Sequence, residues 1–109
     1  MQRRDIAGLP DDPLAAAAHF YSAAAAGITG SDDLVLIFPA ADHAHTAWRL
    51  AAIESLARER VPGRVNGISG GSAAAVAAAI AYLAAAPGVT GQYLPLDDAG
   101  AGPVIPSAA

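Results

Sequence analysis

Residues 34–38, Leu-Val-Leu-Ile-Phe, are an apolar run with no polar alternation. A strand of that kind is buried on both faces, as in a parallel sheet. Pro39 ends it, and the polar and apolar positions then change to helical spacing over residues 41–60. Trp48, Ala52, Ser55 and Glu59 fall on one side of that predicted helix, and Leu50, Ile53 and Ala57 on another. Pro62 and Gly63 close it, and a short strand is predicted over residues 64–68. A further helix over residues 72–86 carries Val76, Ile80 and Leu83 as its stripe and breaks at Pro87 and Gly88. Residues 89–96 supply a last strand. Upstream, Asp12 stands at an N-cap position and Pro13 at the first helical position, with Gly27 as the stop. Leu14, Ala17, Ala18 and Tyr21 share one face of that helix. A weaker strand is predicted around residues 5–9.

Strand, helix, strand, helix, strand, helix, strand describes an α/β domain. Its small parallel sheet has three to four strands, with helices on both faces and right-handed crossovers, half of a doubly wound Rossmann-like fold. One such domain is expected over residues 1–98, followed by an irregular tail rich in Gly, Pro and Ala over residues 99–109.

Composition modifies this picture in two ways. The hydrophobic fraction is 54%, yet about thirty of those residues are alanine, so the core is thin and closely packed. Net charge is −4, which excludes an electrostatic footprint for nucleic acid. There is no cysteine to build a disulfide, zinc or redox site. The first thirteen residues lack the apolar run of a signal peptide, and residues 73–86 are too short to span a bilayer. A cytoplasmic protein without membrane attachment is expected.

Three groups of residues have chemistry to offer. Asp42, His43 and His45 follow a strand end and supply three candidate metal ligands, although the same pattern suits a polar helix N-terminus with Asp42 favoured by the helix dipole. Ser69 and Ser72 flank Gly70 and Gly71; no nucleophile-elbow motif surrounds them, and the stretch reads as a turn with an N-cap whose amides can also hold an anion. Arg49 and Arg58 read as solvated helix charges.

Residues 50–97 resemble the carboxy-terminal part of the short-chain dehydrogenase/reductase family. The resemblance rests on "ESLARERVPG", on "RVNGIS" followed by a turn, and above all on "AYLAAAPGVTGQYLPLD". It implies a nicotinamide-side loop around Asn66, Gly70, Gly71 and Ser72. It also places the family's proton-transfer Lys near Thr46 and its Tyr near Asp42, so both are replaced, and the glycine-rich pyrophosphate turn has no counterpart. Gly70 stands where the family has Pro, the substrate-covering segment before the last helix is deleted, and Asp98 and Ala99 replace a glycine pair.

No cofactor is therefore expected. The resemblance further implies that subunits meet through residues 13–26, 43–60, 72–86 and 89–96, with Trp48, Ile53, Leu83 and Tyr93 as contact residues. The expectation that follows is a non-catalytic assembly subunit, a homo-oligomer or a partner of a full-length dehydrogenase relative. The alternative is a small enzyme or ligand-binding module using the loops at Asp42–His45 and Ser69–Ser72.

Overall fold

Four strands pair in parallel in one sheet: β1 (Gln2–Asp5), β2 (Leu34–Phe38), β3 (Val65–Gly70) and β4 (Tyr93–Leu96), adjacent in that order. Three helices connect them. The first, α1 (Pro13–His19), continues through a π turn at Phe20–Ala24 and a 3-10 turn at Ala25–Gly27; α2 (Thr46–Arg60) follows a 3-10 turn at His43–His45; α3 (Ala73–Ala84) joins β3 to β4. The computed structural model describes residues 1–96, so the predicted tail at 99–109, the limit at 98 and Asp98 and Ala99 lie outside the described residues. No helix among the described residues is long and apolar enough to cross a membrane.

Side-chain alternation along the strands divides the core. Leu34, Leu36 and Phe38 stand in register with Val65, Gly67 and Ser69, and this face packs against Ile6, Phe20, Ala52, Ile53 and Ala57. Val35 and Ile68 point the other way, against Val76 and Leu83 of α3. The α/β sheet with helices on both faces is thus present, but its crossovers differ from the expectation. Every connection steps to the next strand in the same direction, while α1 and α2 lie on the Phe38 face and α3 on the opposite one. The connection through α3 therefore has the opposite hand to the other two, and the three cannot all obey the right-handed rule that holds in about 98% of such units.

Several element-level expectations are corrected. The first strand is Gln2–Asp5 rather than residues 5–9; all four of its residues are exposed, and an exposed polar edge has no apolar signature. On α1 the predicted stripe faces solvent, with Leu14 81% exposed and Tyr21 48%, because Ala16 and Phe20 are the residues that turn inward. Asp12 does cap this helix, accepting from the Ala15 amide at 2.9 Å. Ile53 and Leu83, expected at a subunit contact, are both fully buried within this chain's own core. Arg49, expected in solvent, is 1% exposed.

Arg64 fastens the start of β3 to its surroundings. Its Nε and Nη2 donate to Asp33 Oδ2 at 3.0 and 2.9 Å, and its Nη1 donates to the carbonyls of Leu83 and Ala86 at the end of α3. A cation there also complements the carboxyl end of the helix dipole.

Gly67 lets α2 approach the sheet: a Cβ there would collide with Ile53 Cδ1 and crowd Phe38. Gly67→Ala should therefore destabilise the fold by about 2 kcal/mol, the usual cost of overpacking. A lowered denaturant midpoint with an unchanged slope is the expected result in urea unfolding.

Candidate functional site

The carboxyl ends of β2 and β3 open onto the two predicted loops. After Phe38 the chain passes Pro39 and reaches Asp42, whose Oδ1 accepts from the Ala44 amide at 3.1 Å and starts the 3-10 turn. His45 is 7% exposed and fully engaged. Trp48 Nε1 donates to His45 Nδ1 at 3.0 Å, so Nδ1 is the acceptor and Nε2 carries the proton that it donates to the Asp11 carbonyl at 2.9 Å. His45 thus ties the start of α2 to the loop after β1, and its ring nitrogens are not available to a metal. Asp42 and His43 are exposed. Among the described residues no group of three or more His, Asp or Glu side chains is placed to hold a metal ion.

The loop after β3 needs its glycines. Gly70 and Gly71 have φ of 68° and 80°, and a Cβ on Gly71 would lie 2.9 Å from Leu96 Cβ. Ser72 caps α3, its hydroxyl accepting from the Ala75 amide at 3.1 Å. Asn66 is completely buried; its Nδ2 donates to the Val89 carbonyl at 3.0 Å and its Oδ1 accepts from the Gln92 amide at 3.1 Å. Both ends of this amide are used in holding the turn before β4, so Asn66 has a structural role instead of facing a ligand. Gly70 and Gly71, by contrast, line a hollow of about 350 Å³ together with Ile37, Pro39, Ala40 and Val76.

Beneath these loops, on the α2 face, is a polar chain that sequence reasoning missed. Tyr93 Oη donates to Ser69 Oγ at 2.8 Å and accepts from Arg49 Nη1 at 3.1 Å. Arg49 Nη1 also donates to the Pro39 carbonyl at 2.9 Å, and its guanidinium carbon lies 4.8 Å from the Phe38 ring centre. Its Nε is buried without a partner among the described residues. Among the described residues no carboxylate pairs with this buried cation; a carbonyl, a phenol and aromatic faces surround it. The spacing of Arg49, Ile53, Ala57 and Arg60 on α2, all buried, was the available signal. Trp48 closes the cluster from outside, half-buried, with its ring centre 5.6 Å from that of Phe20 and 6.0 Å from that of Phe38. Tyr93, another expected contact residue, is held inward by its two hydrogen bonds.

A parallel sheet with helices on both faces and glycine-bearing loops at its strand ends defines a Rossmann-like α/β protein. The family model described as short chain dehydrogenase-like protein matches residues 4–96, and the chain belongs to that family. Comparisons with curated proteins and with solved structures return no match.

Proposed function

We propose that this chain is a non-catalytic member of its family that works by associating with another protein chain, and that the outer edge of β1 is the docking edge. The observation that carries this is the pairing of β1. Gln2 N donates to the Asp33 carbonyl and Ile6 N to the Ile37 carbonyl, both at 2.8 Å, so the even-numbered residues face β2. The backbone N–H and C=O groups of Arg3 and Asp5 consequently face outward, and among the described residues no strand lies beyond them. Loss of catalysis is supported by the residues near which the resemblance sets the family's Tyr and Lys: Asp42 serves as a cap, and Thr46 is the first residue of α2.

In purified material the partner is a second copy; in the cell it is a full-length relative. A small-ligand module is the second reading, favoured by the hollow beside Gly70 and Gly71.

Proline at position 5 separates these readings, because it deletes an outward N–H and leaves the ladder to β2 intact. Asp5→Pro should shift the sedimenting species from oligomer to monomer while Asp5→Ala keeps the wild-type mass. An Asp5→Pro protein with the mass of the wild type would remove the edge from the mechanism.

A further inference from the structure

All six basic residues of the chain are arginines, and three of them line one hollow far from the strand-end loops. It lies between β1 and the turn that precedes β2, bounded by Gln2, Arg3, Arg4, Gly27–Thr29, Leu34 and Arg60, with a volume of about 420 Å³. That volume falls within the range of about 300–1,000 Å³ common to small-molecule sites. Among the described residues no acidic side chain lines it.

Arg60 is 6% exposed and forms no ion pair among the described residues. Its Nε donates to the Asp32 carbonyl at 2.6 Å and its Nη1 to the Thr29 carbonyl at 3.0 Å, which fixes the plane of the guanidinium. Its Nη2 makes no hydrogen bond among the described residues and is not sealed from solvent. Arg4 approaches from β1 with a single long bond, from Nη1 to the Gly27 carbonyl at 3.4 Å. The two acids of the adjoining turn have other partners: Asp32 Oδ2 accepts from Gln2 Nε2 at 3.4 Å, and Asp33 is held by Arg64. Arg3 is paired with Asp5 and adds only to the rim.

A buried, oriented guanidinium without a counter-ion, beside a second arginine whose donors are mostly unused, suits an oxyanion. Two guanidinium groups can share the oxygens of a phosphoryl group through charge-assisted bonds, and burial of one of them limits competition from water. We propose that the hollow between Arg4 and Arg60 binds a phosphoryl group, free or as the ester of a small molecule. This proposal is independent of association at β1, since it uses side chains on the α2 face of the sheet and not the outward backbone.

The test is calorimetric titration of inorganic phosphate into the full chain, with ionic strength held constant by sodium chloride and with acetate as the comparison anion. Saturable binding of one phosphate per chain is expected, weakened by about tenfold or more in Arg4→Gln, the effect of losing one charge-assisted hydrogen bond. Arg60→Lys should weaken it as well, and if that variant fails to fold the exposed Arg4→Gln decides alone. A phosphomonoester probe such as glycerol phosphate binding more tightly than phosphate identifies the ester as the source, and the reverse order identifies the free ion. Absence of saturable binding, binding of acetate without phosphate, or full affinity in a folded Arg4→Gln protein would overturn the assignment.

Discussion

Phe38→Ala should cost the protein about 4 kcal/mol, within the usual range for deleting a buried phenyl ring. Phe38 is 1% exposed and sits where three aromatic neighbours converge, with ring centres 5.8 Å from Phe20, 6.0 Å from Trp48 and 6.2 Å from Tyr93. It also presents its face to Arg49, whose buried Nε has no hydrogen bond. Truncation therefore leaves a cavity and deprives a buried cation of part of its surroundings, which keeps the loss from falling to the lower end. A domain of this size is stable by roughly 5–15 kcal/mol in total, so the variant should show a large fall in its urea midpoint. Phe38→Leu keeps most of the volume and should lose less than about half as much.

The second large effect is expected at Arg64. Arg64→Ala removes the bonds to Asp33 and to the last carbonyls of α3, and should destabilise the fold by about 3 kcal/mol, the scale of a few hydrogen bonds to a charged group. The residual Asp33 carboxylate is about one-third exposed and can rehydrate, which keeps the figure from rising further.

This site also has a pH signature. The Arg64 backbone N–H, donating to Asp33 Oδ1, and then the Arg64 side chain hold the Asp33 carboxyl below its usual range. A carboxyl whose folded pKa is depressed stabilises the protein above its unfolded pKa, and that contribution is lost as pH falls through the folded value. Wild type should thus lose stability on acidification below about pH 4. Arg64→Ala should lose less over the same interval because the side chain no longer lowers the Asp33 carboxyl, yet it should still lose part because the backbone bond survives, and Asp33→Asn should lose none from this source. Denaturant midpoints measured from pH 6 down to the acid limit distinguish the three.

Much of the fold was legible because local signals agreed with it. The unbroken Leu34–Phe38 run marked a doubly covered strand, Asp12 and Ser72 marked helix starts through their side-chain caps, and Val76 and Leu83 marked the inner face of α3. β1 has no local apolar signal, because an exposed edge strand of Gln, Arg, Arg and Asp is specified by pairing with β2, a contact about thirty residues away in sequence. The hand of the last crossover has no local signature either, since it depends on which face receives α3.

At the candidate site, residue type misled where spacing would have helped. Arg49, one helical turn before Ile53, has the charge of a solvent-facing residue, yet it lies beneath the sheet end with its bonds to Pro39 and Tyr93. His45 and Asn66 looked like ligand chemistry, but each spends its polar atoms on holding two segments of the chain together. Which buried polar groups serve the fold is fixed by partners distant in sequence, and spacing alone does not supply them.

Association at β1 is tested most directly by residue-resolved hydrogen exchange of the full chain at two protein concentrations. At high concentration the amides of Arg3 and Asp5 should be protected nearly as well as those of Gln2 and Ile6, which donate within the sheet. On dilution below the association range the protection of Arg3 and Asp5 should vanish while that of Ile6 persists. Fast exchange at Arg3 and Asp5 at every concentration, in a chain whose Ile6 amide stays protected, would contradict the account.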